Sequence, residues 1–147
     1  MPLMPPPGYA ARMRAYLAEM YPPLQRLAAA ALLVLGFEAM LRRIHGVGGG
    51  WLTPHALLGI WTVFAFYLVL RLMDELKDKQ VDLALFRDRP LPSGRVMEAD
   101  IVFSLSVAIV LWLIPNLLTP GVRIVSLVAM GWALLMFRWF FLPGVLR

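Results

Sequence analysis

The sequence predicts an all-α membrane protein, a polytopic helical bundle of about four transmembrane helices preceded by an N-terminal interfacial helix. Three observations carry this. Hydrophobic residues make up 61% of the 147 positions and charged residues only 16%, far from the balance of a soluble domain. Apolar windows of about twenty residues recur four times, so the chain is better counted in spans than in soluble domains. Short Gly- and Pro-containing breaks separate them, and backbone in hydrocarbon must satisfy its own hydrogen bonds, which favours helices. The chain therefore reads as one membrane domain, 1–147, with an interfacial helix in 1–22, a transmembrane bundle in 23–147 and a long polar loop at 74–100.

The N-terminus lacks the continuous apolar core of a signal peptide. Within "YAARMRAYLAEMY", Tyr9, Met13, Tyr16, Leu17 and Met20 recur at helical spacing against Arg12, Arg14 and Glu19. That pattern predicts an amphipathic helix lying on the bilayer. Pro22 and Pro23 then turn the chain sharply into the first span. The four spans are Leu24 to Leu41, Pro54 to Met73, Ile101 to Leu118 and Val122 to Leu142. Asn116 to Gly121, with Pro115 and Pro120, reads as a tight inter-helix turn. "GVGGG" is a flexible loop, because it lacks the Gly-Lys-Ser/Thr ending of a phosphate cradle.

A net charge of +5 raises the question of nucleic acid. The basic residues are scattered at span ends without a recognition motif, so no nucleic-acid partner is expected. Topology accounts for them instead. One side of the bundle holds Arg12, Arg14, Lys77, Lys79, Arg87, Arg89, Arg95 and Arg147, and the other Arg42, Arg43 and Arg123. The positive-inside rule makes the N-terminus and the 74–100 loop cytoplasmic, in an integral protein of the cell inner membrane with lipid as its surroundings. Trp51, Trp112 and Trp139 read as interfacial anchors, Trp61 and Trp132 as packing residues.

The chain has no cysteine, which removes disulfides and thiolate metal sites. His45 and His55 stand ten positions apart without a carboxylate pair and read as loop residues. Glu38, inside the first span, sits one turn from Arg42 and pairs there. Arg26 and Arg138, at the cytoplasmic ends of their spans, snorkel. Nine methionines are adaptable packing. Glu98 and Asp100 suit the dipole at the start of the third span.

The stretch "RLMDELKDKQVDLALFRDRPLPSG", residues 71–94, is different: it gathers five of the nine carboxylates directly after an apolar span. A helix continuing from Ala56 through Asp82 would place Asp74, Asp78 and Asp82 on one face, flanked by Glu75 and Arg71, with Lys77 and Lys79 on other faces. Like charges at this spacing repel, so the row calls for a cation. Hard oxygen ligands suit Mg²⁺, which shares its sphere with phosphates. Asp74, Glu75, Asp78 and Asp82 are thus candidate metal ligands, and Arg71 and Arg89 candidate contacts to a diphosphate.

"DELKDKQVD" followed by "LALFRDRPLPSGRV" resembles the first aspartate-rich motif of the UbiA-type intramembrane prenyltransferases, usually Asn-Asp-x-x-Asp-x-x-x-Asp and then a loop with Arg-Pro-Leu/Ile-Pro-x-Gly. Glu75, Asp78 and Asp82 take the acidic positions, and Asp74 stands where the family often has asparagine. Arg89, Pro90, Pro92 and Gly94 follow without a gap. The resemblance implies the first half of that fold, Mg²⁺ as cofactor, catalytic roles for Asp78 and Asp82, and transfer of a prenyl group from an isoprenoid diphosphate to an aromatic or other lipid-pathway acceptor. Members of the family are longer and carry a second acidic motif on a later loop, whereas here no Asp or Glu follows Asp100. Two readings follow: a prenyltransferase or its N-terminal half, completed by a second chain or homo-oligomer, and a non-catalytic membrane subunit that keeps the front half of the fold.

Overall fold

The computed structural model describes residues 8–139, with side chains through residue 137, and among them every regular element is a helix. In order these are α1 (Tyr9–Met20), α2 (Pro23–His45), α3 (Pro54–Lys77), α4 (Lys79–Leu85), α5 (Glu98–Leu118) and α6 (Arg123–Trp139). Helices α2, α3 and α5, at 23, 24 and 21 residues, are long and apolar enough to cross a membrane. The described part of α6 is apolar but shorter. At 1.5 Å per residue its 17 residues reach about 25 Å, against about 30 Å of hydrocarbon. The remainder of the span expected to Leu142, with the side chains of Arg138, Trp139 and Arg147, lies outside the described residues.

Proline and threonine set the helix starts. Pro23 opens α2 in the first turn, where its missing N–H costs nothing. Thr53 caps α3 by accepting from the Ala56 N–H at 3.1 Å, with Pro54 behind it. Gly46 ends α2 at φ +65°, a left-handed cap. Central α3 packs mainly on α5 and α2. The core runs from Met13 and Tyr16 of α1 through Val69, Leu72 and Met73 of α3 to Ile101, Ala108 and Trp112 of α5 and Met130 of α6. Outward-facing residues are also apolar, among them Leu32, Leu33 and Phe37 of α2 and Phe103, Val110 and Leu111 of α5. Lipid satisfies such a surface, and water does not.

Four expectations are corrected. The apolar stripe of α1 turns inward rather than towards lipid: Met13 and Tyr16 are buried, and Leu17 and Met20 pack beside them. Buried Trp112 is a core residue, its indole donating to the Thr62 carbonyl at 3.1 Å, while Trp132 is 63% exposed and is not a packing residue. The second long helix does not run unbroken through Asp82; it bends at Asp78 (φ −89°, ψ 6°) and restarts as α4.

Helix α5, finally, continues past Pro115 to Leu118, so the turn spans only Thr119 to Val122. A proline inside a helix strips a carbonyl of its donor four residues back. That carbonyl belongs to Leu111, and the Trp61 indole donates to it at 3.1 Å. Asn116, buried in the same turn, gives its amide to the Trp112 carbonyl (2.7 Å) and accepts from Thr62 of α3 (3.0 Å) and Ser126 of α6 (3.2 Å). This one side chain ties three helices together. Replacing it by leucine should lower stability by about 1 kcal/mol, the usual worth of interhelical polar contacts in apolar surroundings. Thermal unfolding in detergent micelles reads this, and an unchanged midpoint contradicts it.

Candidate functional site

The charge-rich stretch begins where α3 ends, and the four candidate acids fall into two pairs. Asp74 and Asp78 stay at the rim, with side chains 49% and 47% exposed. Lys77, expected on another face, reaches both, at 3.3 Å from Asp74 and 4.0 Å from Asp78. Such solvated pairs contribute little. Glu75 and Asp82 turn inward and are buried. Each has an arginine as partner: Arg71 Nη2 lies 2.6 Å from Glu75 Oε2, and Arg89 Nη1 bridges both Asp82 oxygens at 2.8 and 2.9 Å. The acids and arginines that the sequence reading assigned to metal and phosphate are thus paired with one another. The two buried acids stand seven residues apart, Glu75 in the last turns of α3 and Asp82 in α4.

The proline loop is the second wall. Arg89 stacks on the Phe86 ring, its guanidinium carbon 4.2 Å from the centroid. Backbone bonds from Ser93 to Arg89, Gly94 to Leu91 and Val96 to Pro90 close the loop on itself. Gly94 holds φ +75°, which a side chain would strain. Pro90, Leu91 and Val96 are then driven into the core, and Arg89 is carried over Asp82.

Helix α1 supplies a third wall that the sequence reading missed, because it assigned the apolar stripe to lipid. Tyr16 is fully buried and donates to Glu75 Oε2 at 3.2 Å. Arg12 grips Asp100 through two hydrogen bonds of 2.7 Å, and Asp100 also accepts from the Met97 N–H at 3.0 Å. Asp100 therefore does more than complement a helix dipole. Arg95 of the loop clasps Glu19 at 2.7 and 3.0 Å, and this hydrogen bonding holds the Glu19 carboxyl below its ordinary range. The Tyr9 and Ser104 hydroxyls share a 2.8 Å hydrogen bond. The available signal was Arg12, four residues before Tyr16 and so close to the same helical face.

One atom here is unsatisfied. Glu75 Oε1 is buried and has no hydrogen-bond partner among the described residues. Leaving such a group unmatched costs about 1–3 kcal/mol, more when charged. One orphaned oxygen is short of the six or more oxygens that Mg²⁺ or Ca²⁺ takes, and both Asp82 oxygens are already engaged by Arg89. The four acids do not converge as they stand: no group of three or more His, Asp or Glu side chains is arranged around a metal position among the described residues. As they stand, with Glu75 and Asp82 each paired with an arginine, these residues do not fit a metal ion. Elsewhere, Glu38 pairs with Arg42 at 2.7 Å, as expected, whereas His45 and His55, expected in loops, lie in the last turn of α2 and the first turn of α3 and are exposed.

Compared with models of known protein families, with curated proteins and with solved structures, the chain matches none.

Burial raises the Tyr16 hydroxyl well above its ordinary value, reinforced by the Glu75 charge, and pushes Tyr21 up to about 12. A phenol whose folded value is raised contributes stability fully present below the unfolded value of about 10, and lost as pH rises through the folded one. The difference in phenolate absorbance between wild type and Tyr16→Phe should therefore emerge only well above pH 10, together with loss of fold. A difference titrating near pH 10 in the folded protein contradicts the buried placement.

Proposed function

We propose that this chain is a UbiA-like prenyltransferase or the N-terminal half of one, transferring a prenyl group from an Mg²⁺-bound isoprenoid diphosphate to an aromatic or other lipid-pathway acceptor. We further place it in the cell inner membrane, as about four spans with the acidic end cytoplasmic, on the sequence's excess of basic residues at that end. The observation that carries the functional reading is the interlock of the two parts of the motif. Asp82, the last acidic position, is held by Arg89 of the Arg-Pro-Leu-Pro loop, and the loop's apolar residues are buried beneath. Parts that the resemblance pairs in sequence also pair in space.

In this reading Asp74, Glu75, Asp78 and Asp82 would hold Mg²⁺ once drawn away from their present partners, and the ion would supply positive charge against the diphosphate leaving group. The chain's own residues do the rest. Arg71 and Arg89 bind phosphate oxygens, with their planar donors suited to that geometry. Apolar faces of the long helices receive the isoprenoid tail and keep water from the allylic carbon. Arg89 also couples the loop to the site, since any anion that draws it off Asp82 loosens the loop's hold.

A second reading, a non-catalytic membrane subunit keeping the front half of the fold, is favoured by a different fact: each of these two buried carboxylates already has a cationic partner. Binding separates the two. Purified protein should bind geranyl or longer diphosphates in an Mg²⁺-dependent manner, and Asp78→Ala combined with Asp82→Ala should weaken this by more than about tenfold, as loss of charged partners does. Absence of Mg²⁺-dependent binding, or a double variant that binds like wild type, favours the subunit.

A further inference from the structure

We infer that Arg14 and Arg26, on either side of the turn between α1 and α2, bind the headgroup phosphates of anionic lipids; this rests on the membrane placement above and not on the acids at the end of α3. Among the described residues the other cations are already held, most by a carboxylate and Arg87 and Arg123 by a backbone carbonyl. Arg14, Arg26 and Arg43 are exposed and have neither kind of partner. Arg43 stands in the last turn of α2, where its charge complements the helix dipole. Arg14 lies in the middle of α1, and Arg26 in the opening turn of α2, where the dipole disfavours a cation. Both charges therefore call for an anion from outside the chain.

The position of α1 identifies that anion. Its first residue is tied to the second turn of α5, Tyr9 meeting the Phe103 ring edge-on at 5.3 Å between centres and the Ser104 hydroxyl at 2.8 Å. Just past its last turn, the Tyr21 hydroxyl donates to the Phe64 carbonyl of α3 at 2.5 Å. Both contacts fall within helices long and apolar enough to cross a membrane. Helix α1 thus lies alongside these helices rather than beyond their ends, and its back faces the lipid that covers them. On that back Ala11, Arg14, Ala15 and Ala18 line a shallow hollow, one cation among three side chains that lipid tolerates. An arginine so placed stretches towards phosphate, whose oxygens its paired N–H donors match. Arg26 has similar surroundings, beside exposed Leu24 and Leu27. Its guanidinium carbon lies 5.7 Å from the centre of the Tyr21 ring, a platform fixed by burial and by the hydroxyl's bond to Phe64. No acid stands on the back of α1 or in the first turn of α2, so a headgroup of net negative charge fits better than a zwitterion.

The test titrates the full chain, in uncharged detergent micelles, with fluorescent phosphatidylglycerol and, as the zwitterionic reference, fluorescent phosphatidylcholine. Wild type should bind phosphatidylglycerol more tightly. Arg14→Gln and Arg26→Gln should each weaken that binding about fivefold, the effect of one basic residue at a membrane surface, while helical content is kept and phosphatidylcholine binding changes less. Arg87→Gln removes the same charge from a side chain that serves the Leu83 carbonyl, and should bind like wild type. Equal affinity of wild type for the two lipids, or wild-type binding by either Arg14→Gln or Arg26→Gln, overturns the proposal. If Arg87→Gln weakens binding as much, net charge alone attracts the lipid and the two-arginine site is overturned. Displacement of the lipid by millimolar inorganic phosphate, at ionic strength matched with chloride, assigns the arginines to free phosphate and overturns it too. If wild type takes up neither lipid, the membrane placement falls with the proposal.

Discussion

A carboxylate turned in among apolar helices must find a cation or lose its charge, and the architecture of this chain follows from that requirement. The cost of stripping water from an isolated charge far exceeds the marginal stability of a fold. Glu75 and Asp82 escape it only because Arg71 and Arg89 accompany them inward. Arg71 is one turn away on the same helix and comes without further folding. Arg89 lies seven residues beyond Asp82, so its approach demands that the intervening chain double back. The bend at Asp78, the short helix α4 and the proline loop are the means of doing so.

Buried ion pairs are weak grounds for stability as such, since a well-packed apolar replacement is often at least as stable. Breaking one by removing a single partner is another matter, because it strands the other charge. Each buried pair at the end of α3 is therefore costly to damage one partner at a time. Rim acids Asp74 and Asp78, half-exposed beside Lys77, are ordinary surface charge by comparison.

Much of this was legible in sequence. Composition and window length identified the long apolar helices, the double proline marked the entry to α2, and the acidic spacing with its Arg-Pro loop singled out the stretch that the structure folds into two buried ion pairs. The failures share a cause: each depended on a partner distant in sequence. Nothing local says that Trp61 will serve the carbonyl freed by Pro115, so the chain at Asn116 read as a turn. Nothing local distinguishes a stripe facing lipid from one facing protein, so α1 was sent to the bilayer and Tyr16 was lost from the site. The same blindness left Trp112 at an interface and Trp132 in a core. Even the bend at Asp78 is tertiary in origin, since helix periodicity alone would have kept Asp82 in line with Asp78 and away from Arg89.

The central claim is that the acidic helix end and the proline loop are one folded unit because Asp82 and Arg89 neutralise each other. A double-mutant cycle with Asp82→Asn and Arg89→Gln, read by reversible unfolding in micelles, addresses it directly. Each single variant should destabilise, and the double should lose little more than the worse single, a coupling within the ~0.5–3 kcal/mol seen for contacting pairs. Losses that simply add would show that the two residues act independently and would contradict the account.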